Sequence, residues 1–144
     1  MIRYNIDTPE NTIVGKAETV DEIKRIFYKD IYKGDKIIPC LGHIETDIVE
    51  DSILWLSSVK ELGVFVGINI GIRESSGCYL SLFNRSMLNE VVDVWDELYI
   101  SKGLFLPPEL AWSGIEDFIS KGIISDKIQW ITPNDIPEDG NYIL

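Results

Sequence analysis

The spacing of apolar residues changes several times along the chain, and each change marks an element. Residues 1–7 carry IRYNID, a loose alternation that predicts a short first strand. From Val20 the apolar residues recur at Ile23, Ile26, Phe27 and Ile31, which is one stripe of a helix. Thr19 stands at the N-cap position, and Glu22, three residues on, completes a capping box. Lys29 and Lys33 suit the negative end of the helix dipole, and Gly34 is a natural stop, so the helix is predicted over about 19–33. The grain then shortens. KIIPC (36–40), interrupted by Pro39, reads as an edge strand or a strand end. SILWLSS (52–58) reads as a strand, although EDSILWLSSVKEL is long enough for a helix. GVFVGINIGI (63–72) and CYLSLF (78–83) alternate around RESSG (73–77), where Gly77 is available for a positive φ. A β-hairpin is predicted over 64–83.

VVDVWDELYI (91–100) predicts a strand with Val92, Val94, Asp96 and Leu98 on one face and Asp93, Trp95, Glu97 and Tyr99 on the other. GLFLP (103–107) is a short strand ending at a proline. Pro108 suits the first turn of a helix, and Ala111, Ile115, Phe118 and Ile119, with Trp112 beside them, give that helix its stripe over 108–121. Gly114 weakens its interior by about 1 kcal/mol relative to alanine, and Gly122 stops it. KIQWI (127–131) is a last strand, and 132–144 a loop or tail. Strands come mostly in a run rather than alternating with helices. The expected fold is therefore α+β: an antiparallel sheet of about five or six strands with two main helices on one face, in a single domain over 1–144. No period of 20–50 residues repeats, which excludes a solenoid.

Charge changes the picture more than composition does. The net charge is −11, and eleven of the 24 acidic residues lie in three segments without a base: 45–51, 90–97 and 135–139. The remaining 13 acids are matched by 13 bases, so the acidity is local. Direct binding to nucleic acid is disfavoured, because phosphate contacts need a basic footprint. A basic partner is favoured; the plainer alternative is a solvated acidic surface. No apolar run reaches the roughly 18 residues of a membrane span, and MIRYNIDTPE has no apolar signal core, so a cytoplasmic protein without a membrane partner is expected. Cys40 and Cys78 are expected to be reduced, buried thiols, with a single disulfide as the alternative.

Candidate chemistry is sparse. His43 is the one histidine; it can be a base oriented by Glu45, but a surface-loop histidine is the simpler reading. Cys40, three residues earlier, invites a thiolate–imidazole pair, though that spacing is no motif. Two cysteines and one histidine make no zinc site without distant carboxylates. ETDIVED lacks the central glycine of an EF-hand loop. Gly63, Gly67 and Gly71 do not make a phosphate turn and read as sites of close packing or bulges. No catalytic, metal or cofactor residue is expected. Of the four tryptophans, Trp95 stands out because Asp93, Asp96 and Glu97 flank it, a setting that suits an arginine- or lysine-rich surface.

LFLPPELAWSGIEDFISKGIISDKIQW (104–130) resembles the closing signature of a bacterial immunity-protein family, the first-numbered immunity family of polymorphic-toxin and contact-dependent growth inhibition systems. The resemblance rests on Pro107, Ala111, Phe118, Gly122 and Trp130, and the hairpin VFVGINIGIRESSGCYLSLF fits the family's middle strands loosely. It implies a small cytosolic, non-enzymatic antitoxin that binds one cognate toxin domain, often a nuclease or deaminase, and blocks it. The matched positions look structural, so no contact residue is carried over. Charge points to Glu45, Asp47, Glu50, Asp51, Asp93, Trp95 and Glu97 as the expected partner-binding set, with the acids at 135, 138 and 139 as the next candidates. A generic acidic adaptor, and an enzyme built on Cys40 and His43, are the competing readings.

Overall fold

The computed structural model describes residues 1–71 and 77–142. The chain opens with strands β1 (Ile2–Asp7) and β2 (Thr12–Ala17), followed by helix α1 (Val20–Ile26). The capping box at its start is formed: the Thr19 hydroxyl accepts the Glu22 N–H at 3.3 Å, and the Glu22 carboxylate accepts the N–H groups of Thr19 and Glu18 at 3.0 and 2.7 Å. The helix does not reach residue 33. It widens into a π-helical turn over Phe27–Ile31, and Tyr32 leaves helical geometry at φ −129°. Residues Tyr32–Lys33 (β3) then pair with Lys36–Ile37 (β4) in a small ribbon. Gly34, at φ +69°, turns that ribbon instead of stopping the helix.

Next come β5 (Cys40–Thr46), β6 (Ile53–Val59), β7 (Gly63–Ile70) and β8 (Gly77–Leu82). The predicted hairpin is β7–β8. Its turn at 73–76 lies outside the described residues; Gly77 is the first residue of β8, and the positive φ of 69° belongs to Gly71. The helical alternative for 52–58 is overturned, because β6 lies in mid-sheet between β5 and β7. The stretch 91–100 is two strands, β9 (Val91–Trp95) and β10 (Leu98–Ser101). β11 (Phe105–Leu106), α2 (Pro108–Lys121) and β12 (Gln129–Ile131) complete the set. Gly122 caps α2 at φ +69° and donates its N–H to the Phe118 carbonyl at 2.9 Å.

The main sheet has eight strands, not five or six. Its order is β12-β8-β7-β6-β5-β1-β2, with β11 paired to one end of β7, and all its pairings are antiparallel. The strand count rises because 12–17 and 40–46 carry too few apolar residues to be read as strands alone. β8 changes partner along its length. Its first half pairs with β7 (Gly67 to Leu80), and its last residues pair with β12, while β11 takes the vacated edge of β7 at Val64 and Phe65. At this fork the Val66 N–H has no strand partner on that side. It donates to the Ser81 hydroxyl at 3.0 Å, which in turn donates to the Leu104 carbonyl at 2.7 Å.

Alternation along each strand separates two cores. Ile2, Ile6, Ile44, Leu54, Leu56, Val64, Val66 and Ile68 pack with Ile23 and Phe27 of α1 and with Ala111, Trp112, Ile115, Phe118 and Ile119 of α2. Val59, Phe65, Leu80 and Leu82 pack in the second core with Val94 of β9 and Ile100 of β10. The chain after β12 is tied down as well: Ser101 and Asn141 exchange hydrogen bonds at 2.8 and 2.9 Å, and Tyr142 packs on the second core. No helix among the described residues is long and apolar enough to cross a membrane.

Behind α2, the Asp117 carboxylate is buried. It accepts the Ser125 hydroxyl at 2.7 Å and faces Lys127 and Lys121 at 3.6 and 3.7 Å. The Ser125 hydrogen bond, helped by the two lysines, holds this carboxyl below the usual aspartate range in spite of burial. A depressed folded-state pKa gives stability that is present above the unfolded value of about 3.9 and lost as pH falls through the folded value. Ser125→Ala is therefore expected to cost about 1–2 kcal/mol at neutral pH, with the deficit shrinking as pH drops below that range. Urea denaturation at pH 7 and at pH 2.5 measures both; a deficit unchanged at the lower pH would show that Asp117 is not the linked group.

Candidate functional site

On the face of the sheet opposite the helices, cover is uneven. Along β6, Ser57 and Val59 are buried, whereas Ile53 and Trp55 are only half-buried. β9 packs against β5 and β6 on this side, so the second layer covers the far half of β6. The half next to the 47–52 turn stays open. Strand register lines up Trp55, His43, Asn5 and Val14 across it. His43 is thus a mid-strand residue, not a loop residue. Its ring lies 5.3 Å from that of Trp55, centre to centre. Val14, at the outer end of the row, is 66% exposed.

The first acidic segment lies at one end of this open half. Glu45 is the half-buried last-but-one residue of β5, and Asp47, Glu50 and Asp51 stand exposed in the turn that follows. They line a groove of about 580 Å³ with Arg3, Val49 and Ile53. The sequence count missed Arg3, which strand pairing brings opposite Glu45. Its guanidinium donates to Asp47 Oδ1 at 2.7 Å and lies 3.6 Å from Glu45 Oε2. The Arg3 hydrogen bond keeps the Asp47 carboxyl below its ordinary range. Glu45 therefore faces Arg3 rather than orienting His43. A second, shallower groove of about 360 Å³ shares Arg3 and Glu45 and runs on past His43 to Val14 and Lys16.

The second acidic segment sits on the β9–β10 hairpin. Asp96 and Glu97 have φ of +47° and +68°, so they form a two-residue turn. The Asp93 carboxylate accepts the N–H groups of Trp95 and Glu97 at 3.0 Å each and holds that turn. A single strand face carrying Asp93, Trp95 and Glu97 is therefore not formed. Asp93, Asp96 and Glu97 are exposed, while Trp95 is half-buried and packs against the second core. Glu45, Asp47, Glu50 and Asp51 follow from β5 and its turn and border the open half-face, while Asp93, Trp95 and Glu97 belong to the hairpin whose β9 packs against β5 and β6. Of the C-terminal acids, Asp135 caps a 3-10 turn by accepting the Thr132 N–H at 2.9 Å, and Glu138 and Asp139 are exposed.

The catalytic candidates separate. Cys40 points into the helix-side core and is fully buried, so burial pushes its thiol up to about 12, and Ser58 donates to its sulfur at 3.1 Å. By strand alternation His43 points to the other face, which excludes a thiolate–imidazole pair. Cys40 and Cys78 are both free thiols, and Cys78 is half-buried rather than buried. Among the described residues no group of three or more His, Cys, Asp and Glu is placed to hold a metal ion. No family model, curated protein or solved structure matches the chain.

Proposed function

We propose that this chain is an immunity protein that binds a cognate bacterial toxin, with a nuclease or deaminase domain as the target class, and neutralises it in the cytoplasm by blocking its active site. The observation that carries the reading is the open half-face bordered at one end by the carboxylates of 45–51, with a second carboxylate group on the hairpin whose β9 packs against the same two strands. Nucleic-acid enzymes present basic clefts to their substrates, and an acidic face can occupy such a cleft as a mimic of the phosphate chain. Electrostatic steering raises association rates to on the order of 10⁸ M⁻¹s⁻¹ in such pairs, and fast capture is what protection from a lethal enzyme requires. The segment 104–130 that resembles the immunity signature is β11, α2 and β12. Its matched residues support the fold: Ala111 and Phe118 are buried, Gly122 caps α2, and the Trp130 indole donates to the Ser125 carbonyl at 2.8 Å. These positions serve packing, and we assign toxin contact to the acidic residues instead.

The test is co-expression with a candidate toxin domain, read as restored growth. No protection by the intact chain would leave an acidic adaptor as the reading. In the purified pair, Glu50→Gln with Glu97→Gln is expected to slow association about fivefold at low salt and hardly at all at high salt, because exposed charges act through a screened field. Asp93 is unsuited to this test because its carboxylate holds the hairpin turn. An unchanged association rate at low salt would remove this surface from the interface.

A further inference from the structure

The flanking acids account for steering but not for a specific seat, since exposed charges contribute little once screened. The open half-face beside them does offer one. Trp55 and His43 are neighbours across β5 and β6, half-buried, with their rings 5.3 Å apart. The face of the sheet they occupy is apolar and packed further along β6, yet open at this point. A tryptophan face attracts a guanidinium or ammonium group more strongly than any other side-chain ring. Interface hot spots are typically such aromatic residues, set in a pocket and ringed by less critical contacts. Acids outnumber bases around this pair, with Arg3 and Lys16 as the cations of the groove that runs past His43. Glu45, Asp47, Glu50 and Asp51 border one end of the open half, and Asp93, Asp96 and Glu97 stand on the hairpin whose β9 packs against the same two strands. Arg3, the cation nearest the first group, is already engaged by Asp47 and Glu45.

We infer that Trp55 and His43 form the seat for an arginine or lysine side chain presented by a protein partner, with the two acidic groups guiding it in. The inference rests on reading this half-face as partner-binding. It moves the aromatic anchor from Trp95, which is committed to the second core, to Trp55. Asn5 and Val14, next along the row, complete the floor on which the rest of the partner segment lies.

His43 is the only histidine of the chain, so its ring protons give isolated NMR signals and make it a built-in reporter of this seat. The full chain is titrated with a short oligoarginine peptide and, separately, with an oligoglutamate peptide of equal length. Oligoarginine is expected to move the His43 ring signals saturably, and oligoglutamate to leave them in place. Trp55→Leu is expected to weaken oligoarginine binding about tenfold, and Trp55→Phe, which keeps a ring, by much less. Melting curves of both variants establish that they fold. Oligoarginine that shifts the backbone signals of 45–51 and 93–97 while His43 stays still would overturn the seat, as would equal affinity for the wild-type chain and a folded Trp55→Leu. The failure of the two readings can be told apart. A saturable His43 response without growth protection keeps the seat and removes the immunity function. Full protection by the Trp55→Leu chain removes the seat and keeps the function.

Discussion

Phe118→Ala is expected to lower stability by about 3–5 kcal/mol, a large share of the roughly 5–15 kcal/mol that holds a domain of this size. Phe118 is fully buried on the inner stripe of α2, with Ala111, Ile115 and Ile119 beside it and Leu54, Leu56, Val64 and Val66 of the sheet in the same core. Removing the ring deletes its transfer free energy and leaves a cavity that the rigid sheet cannot close. At about 2–4 °C per kcal/mol, the melting temperature should fall by roughly 10 °C. Ser120→Ala, on the exposed side of the same helix, is the control and should change little. A Phe118→Ala protein that melts with the wild type would place α2 wrongly on the sheet.

Gly63→Ala is expected to destabilise by about 2–5 kcal/mol, for two separable reasons. Gly63 opens β7 at φ +124°, a conformation that side chains avoid, and a Cβ there would stand 2.0 Å from the Leu106 carbonyl oxygen. That oxygen belongs to β11 just before Pro107 and Pro108, so it can retreat only by shifting the start of α2. Gly34 separates the two causes. It also has positive φ, but nothing lies within 4 Å of its missing Cβ. Gly34→Ala should therefore cost only the conformational term, about 1 kcal/mol. Chemical denaturation of both variants makes the comparison, and equal losses would show that the contact with Leu106 is not what fixes a glycine at 63.

Elements whose signals are local were legible in the chain. α2 begins at a double proline, carries one stripe and ends at a left-handed glycine, and it spans 108–121 as the pattern predicts. The capping box placed the start of α1. Its end was misread because Ile31 continues the apolar stripe through a π-helical turn, while Tyr32 and Lys33 turn away to pair with residues beyond Gly34. β2 and β5 escaped notice because Gly15 in one, and Gly42 and His43 in the other, break the apolar alternation; their strand state comes from neighbours, chiefly β1 between them. Asp96 suits a turn by type but Glu97 does not, and the Asp93 carboxylate that holds their turn gives no periodic signal. For the surface, the charge count found the acids. It missed Arg3, whose partners lie forty-odd residues away in sequence and come opposite it only by strand pairing.

At the fork of the sheet, a single hydroxyl joins three segments. Ser81 of β8 accepts from β7 and donates to the chain entering β11. Strand ladders divide their hydrogen bonds among many residues and can fray one rung at a time. Here β8 cannot peel from β7 without also releasing the Leu104 carbonyl. The Val66 amide reports that step: its hydrogen exchange tracks the departure of the Ser81 hydroxyl, since no ladder bond on that edge protects it otherwise.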